Sequence, residues 1–471
     1  MNGRQSESVS HSIARYVSRA GARFPEKLKH FAKEHLLDGF ATMAGGATQD
    51  VSRHIDRYLQ TLSSKAEATV IGSGIKLTAQ HAALANGIRG HVLDYDDVQL
   101  ATLPSRPFGQ LTHPTTPVMA AALAVAEKIN ATGLELLQAY IVGMEVACRL
   151  ADAIDPRHYL NGFHPTGTIG VFGATAACAH LLKLKPIQTS RALGVAATLA
   201  SGVRAHRGTM AKSLNAGHAA ENGVVAATLA HGGFTASTDV FDDPMGYFSA
   251  ACGNTVERRL IKLGRPHFLI RPGIAIKKYP CAAVLHPALD AIIELSRRHD
   301  IQPGQVRKIF VGLDPDAALP LVYQRPATGL EGKFSLPFSA AVALARRQAG
   351  LGEFTDATAR DPAIVRLMRK VELQRMPKLK SSGNLGSKAK IEISLDDGRS
   401  YRRRAIIATG HPKKPLARAD LEDKFRECAA ELISPKTAAM FIERLWSIEK
   451  IRSLGPWLRL LRPAPRLRPS K

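Results

Sequence analysis

The pattern of apolar residues divides the chain into a helical part and a smaller part that contains strands. Over residues 1–265, apolar side chains recur three and four positions apart, which is the period of a helix with one buried face. Small residues dominate three of these segments, and small side chains let helices approach each other closely. We therefore predict a central bundle of closely packed helices formed by residues 167–182, 187–201 and 216–231.

Strand patterns appear only in the second part of the chain. Residues 306–313 and 389–395 alternate apolar and polar positions, which is the period of a strand. An Asp-Gly pair at 397–398 follows the second of these segments and precedes another strand pattern, which predicts a hairpin. Helical spacing returns at residues 420–451. If residues 420–451 pack with the helical part of the chain, the part that contains both helices and strands is an insertion in a helical domain.

Composition is that of an ordinary globular protein with an excess of positive charge. Hydrophobic residues make up 45% and charged residues 22% of the 471 positions, and the formal net charge is +24. The excess lies mainly in residues 266–471, whose 38 basic and 20 acidic side chains give a net charge of +18. A basic surface attracts anionic substrates, and a nucleic-acid or membrane contact is the alternative that this charge leaves open. Residues 456–471 are rich in Pro and Arg, and we predict a disordered basic tail there.

Cysteine usage and the lack of nucleotide-binding motifs argue against a cofactor. The five cysteines are scattered, without a CxxC pair or zinc-finger spacing, and this fits a reducing cytosol. Neither a G-x-G-x-x-G motif nor a P-loop occurs, and without clustered cysteines an iron–sulfur centre is not expected. The N-terminus has no apolar signal core, and the longest apolar stretches are shorter than the ~20 residues that cross a bilayer. We therefore predict a cytoplasmic protein with no cofactor, no metal and no membrane contact.

Two clusters of polar side chains stand out in the first part of the chain. The segment HVLDYDD at 91–97 places three carboxylates within four residues, and these repel one another unless they cap, pair or bind something. The segment THP at 112–114 stands at a loop-to-helix junction, where backbone N–H groups favour an anion. Capping is the structural alternative for both clusters. A metal at 91–97 is a further alternative, but no additional ligand has the spacing to complete its site.

Three further clusters follow along the chain. The turn GFHPTG presents His164, and Lys212 stands in a short loop between two helices of small residues. A lysine among apolar helices needs an anionic partner or loses its proton. Lys277 begins the segment KKYPC, and His286 is followed by Pro at the start of a helix. A turn-filling histidine or a solvated lysine is the alternative in each case, but cations and helix N-termini that converge on one site would bind carboxylates.

The segments that carry these clusters resemble the MmgE/PrpD family, which includes 2-methylcitrate dehydratase and cis-aconitate decarboxylase. They stand in family order between about residues 30 and 450, and they read ALANGIRGHVLDYDDV, LTHPTTPVMAAALAVAE, GFHPTGTIGVFGATAA, RGTMAKSLNAGHAAENGV, IKKYPCAAVLHPALDAI and GLEGKFSLPFSAAVAL. The resemblance implies a mainly α fold, in which a large all-helical domain is built from both chain ends, 1–265 and 405–455. A smaller inserted α+β lid domain would occupy residues 266–404. The resemblance also implies a homodimer.

The resemblance further implies which residues form the active site. Val98 stands where many members have Thr after the Asp pair, and this departure bears on substrate identity because the loop that follows should border the pocket. The positions that match by motif are Asp94, His113, His164, Lys212 and His286 for catalysis and Lys277 for substrate binding. Thr112, Thr209 and His218 in the same segments are further candidates for substrate binding.

These residue types suit one kind of chemistry, the removal of a proton next to a carboxylate. The dianionic intermediate must be held by cations and N–H donors in a dry site, and the two lysines would supply the cations. Asp94 or His113 would be the base, and His164 or His286 the acid that protonates a departing hydroxyl. The leading hypothesis is a cofactor-independent hydro-lyase that acts on a small di- or tricarboxylate such as 2-methylcitrate. The alternatives are an epimerase or isomerase, a cis-aconitate-type decarboxylase, or a non-enzymatic basic protein that binds nucleic acid.

Overall fold

Helices form most of the structure, so the predicted fold class, mainly α, is confirmed. A computed structural model describes residues 7–21, 24–62, 64–106, 108–383 and 385–463. None of the described helices is both long and apolar enough to cross a membrane. The helices of the first part are α1 (Val9–Arg19), α2 (Glu26–Ala47), α3 (Asp50–Gln60), α4 (Ala79–Val92), α5 (Thr115–Lys128), α6 (Gly133–Ala153), α7 (Arg157–Leu160), α8 (Pro165–Thr168), α9 (Gly170–Leu181), α10 (Pro186–Leu199), α11 (Ala211–His231) and α12 (Tyr247–Cys252).

The predicted bundle of small-residue helices is confirmed, since α9, α10 and α11 pack against one another. Helix α11 also crosses α4, and glycine makes the crossing close. A Cβ on Gly87 would lie 2.6 Å from Cα of Gly217, and a Cβ on Gly217 would lie 2.6 Å from the carbonyl oxygen of Leu84. Side chains at these positions would force the helices apart. The crossing therefore brings the end of α4 close to the start of α11.

A four-stranded sheet forms in the second part, with the order β6-β5-β7-β8. β5 pairs in parallel with β6, and the other neighbours are antiparallel. The predicted strands at 306–313 and 389–395 and the hairpin after the second are confirmed. The strands are β1 (Ala68–Thr69), β2 (Lys76–Leu77), β3 (Val98–Gln99), β4 (Ile274–Ala275), β5 (Val306–Leu313), β6 (Val371–Arg375), β7 (Ala389–Leu395) and β8 (Ser400–Ala405), and the helices of this part are α13 (His286–Arg298), α14 (Gly329–Gly332), α15 (Leu336–Arg346), α16 (Asp356–Arg360) and α17 (Pro362–Met368).

The short pair β3–β4 connects the two parts of the chain. Val98 pairs with Ala275, and Gln99 pairs with Ile274. Both strands have only two residues, and nothing in the local sequence predicts them. Because β3 follows Asp94 by four residues and β4 precedes Lys277 by two, the pairing holds these two functional candidates near each other.

Buried apolar side chains group in a way that joins the two ends of the chain. The largest group combines residues 28–276 with residues 421–461, and a second helical group lies within residues 9–252. A separate group is built from residues 279–395, around the four-stranded sheet. The C-terminal helices pack with the N-terminal part of the chain, and they are α18 (Arg418–Ala429), α19 (Pro435–Trp446) and α20 (Leu454–Leu458).

The predicted disordered tail, residues 456–471, is wrong for its first residues. Trp457 lies in α20 with 1% of its surface exposed, and its ring packs against Phe40 and Phe441 at centroid distances of 5.0 and 4.7 Å. A buried tryptophan contributes a large apolar area, which outweighs the loss of backbone entropy in this Arg-rich stretch. The end of the tail, residues 464–471, lies outside the described residues.

Candidate active site

Asp94 lies at the C-terminal end of α4, where the chain leaves the helix. Its backbone has a φ of +50°, in the left-handed region that Asp and Asn tolerate better than most residues. Only 2% of the residue is exposed. A buried carboxylate is stable only when it is paired, so its partners determine its charge.

Two lysines from distant parts of the chain pair with Asp94. Lys212, in the first turn of α11, donates to Oδ1 at 2.8 Å, and Lys277 donates to Oδ2 at 3.0 Å. Lys277 also donates to the backbone carbonyl of Asp94 at 2.8 Å. Burial alone would raise the pKa of Asp94, but the two ammonium groups hold it well below its usual range. Asp94 is therefore a permanent carboxylate between two cations.

His91 connects Lys212 to a second carboxylate. Its Nε2 lies 2.7 Å from Nζ of Lys212, and its Nδ1 lies 2.7 Å from Oδ2 of Asp96. Because an ammonium group can only donate, Nε2 must accept, which assigns the ring proton to Nδ1 and lets it donate to Asp96. Burial and the charge of Lys212 hold the pKa of His91 well below its usual range. Burial also lowers the pKa of Lys212, although Asp94 opposes that shift.

Two further neutral histidines stand beside His91. Nδ1 of His113 donates to the carbonyl of Asp97 at 2.8 Å, which leaves its Nε2 free to accept a proton. The rings of His113 and His164 lie 4.9 and 5.6 Å from the ring of His91. Burial is the main cause that holds the pKa of His113 and the pKa of His164 well below the usual range, and the nearby lysines add to it. All three imidazoles are therefore neutral near pH 7.

The paired lysines and Asp94, together with His113 and His164, open onto a small cavity of about 50 Å³. Its walls come from both parts of the chain, so substrate would be held between the helical core and the group of residues 279–395. Charged and neutral polar groups are concentrated on the helical side. The lining residues are Asp94, Val98, Leu111, His113, Tyr159, His164, Arg204, Arg207, Lys212, Lys277, Ala282, Ala283, Val284, Pro320 and Phe334.

The segments that form this cavity match a known family along most of the chain. The family model described as MmgE/PrpD N-terminal domain matches residues 11–259, and the family model described as MmgE/PrpD C-terminal domain matches residues 279–450. The chain belongs to the MmgE/PrpD family. The resemblance seen in the sequence is thereby confirmed.

Several characterised members of the MmgE/PrpD family are similar to this chain along almost their whole length. Cis-aconitate decarboxylase of Homo sapiens is 28% identical over 447 residues, which are 92% of this chain and 90% of that protein. The Mus musculus protein of the same name is 26% identical over 445 residues, 92% of this chain and 88% of that protein. A cis-aconitate decarboxylase of Aspergillus terreus is 27% identical over 473 residues, 96% of each chain. The prediction of an enzyme of the lyase class is confirmed.

The structure brings together five of the nine candidate site residues that the sequence analysis named. Asp94, His113, His164, Lys212 and Lys277 all line the cavity. Their roles stay predictions, but their convergence means that one ligand can contact all of them.

The other four positions do not line this cavity. Thr112 is buried behind it, and its carbonyl accepts a hydrogen bond from Gln99 at 2.9 Å. Thr209 is exposed and borders a smaller adjoining space beside Lys212. His218 lies on an exposed position of α11. His286 is buried against Tyr279, with ring centroids 5.1 Å apart.

Local sequence did not indicate the role of Lys424 in α18. Its ammonium donates to the carbonyls of Tyr95 and Lys277 at 2.8 and 2.9 Å, and it pairs with Asp38 at 2.5 Å. Lys424 therefore holds the backbone next to Asp94 and the backbone of Lys277 in a fixed relationship. No pattern in the C-terminal helix gives a signal for this, because the partners lie more than 140 residues away.

A metal would have to compete with hydrogen bonds already present at the site. His91, Asp96 and His113 offer potential ligand atoms within 4.8 Å of one another. Nδ1 of each histidine already donates to an oxygen, and the ammonium of Lys212 occupies the other nitrogen of His91. A divalent cation here would also be repelled by Lys212. The absence of a metal cofactor stays a prediction.

Proposed function

We propose that this protein is a cofactor-independent carboxy-lyase that decarboxylates cis-aconitate or a closely similar unsaturated tricarboxylate. The observation that carries the proposal is the pair of lysines fixed on one buried carboxylate, in a cavity that the neutral His113 and His164 also line. The relatives named cis-aconitate decarboxylase support the substrate class. The proposal replaces the hydro-lyase that led from the sequence.

The reaction needs an electron sink and one proton donor. When the C–C bond to the allylic carboxylate breaks, CO2 leaves and the electron pair stays on the substrate as an allylic carbanion. The charge of this carbanion is shared between the two ends of the allylic system, and it accumulates on the carboxylate attached to the end carbon of the original double bond. A proton added to the carbon next to that carboxylate gives methylenesuccinate. One proton is consumed and one CO2 is released.

The two lysines fit the electron sink. Ammonium groups held in a dry site stabilise developing negative charge far better than water does, because they are already oriented. Asp94 anchors both lysines, and with both carboxylate oxygens engaged it is a poor base. Lys212 is our proton donor, because burial lowers its pKa, which makes its ammonium group a stronger acid. His91 and Asp96 keep Lys212 oriented.

The histidines favour decarboxylation over dehydration. A dehydration needs an acid that protonates the departing hydroxyl, and a neutral imidazole is a weak one. His113 and His164 have pKa values well below the usual range because they are buried, so neither is an imidazolium near pH 7. The neutral side of the cavity that His113 and His164 form instead suits a carboxylate that loses its charge as CO2.

We also propose the wider organisation implied by the resemblance. Residues 1–265 and 405–455 would form one helical domain, with residues 266–404 as a lid over the cavity, and the grouping of buried side chains supports this. Residues 268–276 of the lid segment pack with the helical side. A cytoplasmic homodimer that does not bind nucleic acid completes the proposal.

The test is an assay in D2O with cis-aconitate and with 2-methylcitrate, followed by NMR and by CO2 release. We expect one CO2 for each methylenesuccinate formed from cis-aconitate, with a single deuterium next to the retained carboxylate. Alkene formation from 2-methylcitrate without CO2 would restore the hydro-lyase hypothesis. Deuterium exchange without either product would indicate an epimerase instead.

A further inference from the structure

A second group of cations lies in the cavity wall, apart from the lysine pair. Arg204 and Arg207 come from the segment between α10 and α11, and Tyr159 comes from α7. All three line the cavity. The Asp94 cluster already accounts for Lys212 and Lys277, but no catalytic step described above uses these three side chains.

Tyr159 organises the two guanidinium groups. The residue is 7% exposed, and Cζ of Arg204 lies 4.2 Å above the centroid of its ring. Nη2 of Arg207 donates to the Tyr159 hydroxyl at 2.7 Å. A cation over an aromatic face is stabilised by the ring quadrupole, and a hydroxyl that accepts one hydrogen bond still has its own proton to donate.

Most N–H donors of the two guanidinium groups have no acceptor among the described residues. Within the described residues neither arginine forms an ion pair, and Nη1 of Arg204 is buried without a hydrogen-bond partner. Nη2 of Arg204 has only a long contact of 3.5 Å, to the carbonyl of Leu160. Buried donors without acceptors are rare in folded proteins and costly. An anionic ligand would supply the missing acceptors.

The charges of the cavity wall match a trianion. Two lysines and two arginines line it, and Asp94 is the single carboxylate among the lining residues. The wall therefore carries three net positive charges. One of them belongs to the Asp94–lysine cluster and two belong to the arginines, so a substrate with two carboxylates would leave one charge without a counterpart.

Contacts between the two parts of the chain hold the arginine segment in place. The hydroxyl of Tyr323 donates to the carbonyl of Arg207 at 2.8 Å. The next residue, Gly208, has a φ of +77°, and a Cβ there would lie 2.7 Å from the Tyr323 ring. Only glycine permits this approach without strain. The guanidinium groups are therefore positioned before a ligand arrives.

We propose that Arg204, Arg207 and Tyr159 form a carboxylate subsite that binds a carboxylate not lost in the reaction, and so selects tricarboxylates over dicarboxylates. The inference rests on the proposed function for its substrate class. A carboxylate that leaves as CO2 loses its charge, and two cations beside it would oppose that loss. The carboxylate that is conjugated with the carbanion belongs with the lysines, which stabilise its growing charge. The arginine subsite therefore takes the central carboxylate, which neither leaves nor accumulates charge.

Equilibrium binding tests this without turnover. Propane-1,2,3-tricarboxylate and propane-1,3-dicarboxylate differ only in the central carboxylate, and their affinities can be measured by titration calorimetry. For the unmodified protein we expect the tricarboxylate to bind about tenfold more tightly or better, since a hydrogen-bonded charge pair is lost with the dicarboxylate. Arg207→Gln and Arg204→Gln should weaken the tricarboxylate by a similar factor and the dicarboxylate by less than about threefold.

Two further variants separate a subsite from a general field effect. Arg157→Gln removes the same charge from the short helix that carries Tyr159, but Arg157 is exposed and pairs with Asp155 outside the cavity, so neither affinity should change. Arg207→Lys keeps the charge but loses the planar fork, so it should fall between the unmodified protein and Arg207→Gln. Thermal unfolding verifies that each variant is folded.

Three results would overturn the subsite. They are equal losses for both ligands in Arg204→Gln and Arg207→Gln, an unchanged tricarboxylate affinity in both variants, or no binding of the tricarboxylate to the unmodified protein. The reaction itself is judged separately by CO2 release from cis-aconitate. A protein that releases CO2 but shows one of these results keeps its proposed function and loses only the subsite.

Discussion

The ammonium group of Lys277 donates to Asp94 twice, to the side-chain carboxylate at 3.0 Å and to the backbone carbonyl of Asp94 at 2.8 Å. The two residues are separated by 183 positions and belong to segments joined by the β3–β4 pair. The Lys277 side chain thus fixes both the charge and the backbone position of Asp94.

The close crossing of α4 and α11 should be necessary for the distance between Asp94 and Lys212. Gly217→Ala places a Cβ against the backbone of α4, so we expect a loss of about 1–3 kcal/mol in the free energy of unfolding. Turnover should fall as well, because the two helices carry the paired residues. Gly232→Ala is the matched control, since the nearest atom to its Cβ would be 3.5 Å away. Equal effects of the two substitutions on unfolding and turnover would contradict this account.

The buried pair of Lys424 and Asp38 should behave as a coupled unit. Lys424→Met leaves Asp38 buried without its cation, and removing one partner of a buried ion pair costs about 3–5 kcal/mol. Lys424→Met combined with Asp38→Leu should recover most of that stability in urea unfolding. Turnover should stay low in the double variant, because the hydrogen bonds to the carbonyls of Tyr95 and Lys277 are still missing. Strictly additive losses of stability would show that the pair is not coupled.

His286 should make the stability of the protein depend on pH. Burial lowers its pKa to about 3 in the folded state, whereas an unfolded histidine has a value near 6.5. Between these values the unfolded chain binds a proton that the folded chain does not, so His286 removes stability as the pH falls below about 6.5. In His286→Gln this contribution is absent. The stability difference between the two proteins should therefore shift by about 2 kcal/mol in favour of the variant from pH 6.5 to pH 5. Parallel pH curves from urea unfolding would contradict the prediction.

Chelation should leave the enzyme active. After dialysis against EDTA we expect unchanged turnover, because both ring nitrogens of His91, Nδ1 of His113 and Oδ2 of Asp96 already form hydrogen bonds. If activity disappears and a divalent cation restores it, these three residues are the first candidates for its ligands.

Sequence motifs indicated the residues that line the cavity more reliably than they indicated the contacts that hold these residues in place. His-Pro and Asp-rich segments identified Asp94, His113 and His164, because unusual polar residues in apolar surroundings are visible locally. The contribution of Lys424 was not visible, since it depends on carbonyl groups from distant segments. His286 is the opposite case, because its His-Pro motif starts a helix but its ring packs against Tyr279 and does not line the cavity. Its catalytic role stays a prediction.

The same distinction applies to the fold. Helices with one apolar face and the strands β5 and β7 follow from periodicity. Strand β6 was missed because it has only five residues, most of them exposed, and it exists through its pairing with β5. Trp457 was assigned to a tail by its Arg- and Pro-rich surroundings, although its contacts with Phe40 and Phe441 determine its position. Pairing partners of this kind are set by the tertiary structure and leave no local pattern.

The most direct measurement of the central claim is the turnover of cis-aconitate by Lys212→Ala. Asp94 keeps Lys277 as a partner in this variant, so the protein should unfold at nearly the same temperature as the unmodified enzyme. Lys128→Ala, which removes an exposed lysine paired with Glu67, is the control for loss of charge. We predict that kcat falls by about 100-fold or more for Lys212→Ala and stays unchanged for Lys128→Ala. A folded Lys212→Ala enzyme that releases CO2 at the unmodified rate would contradict the account.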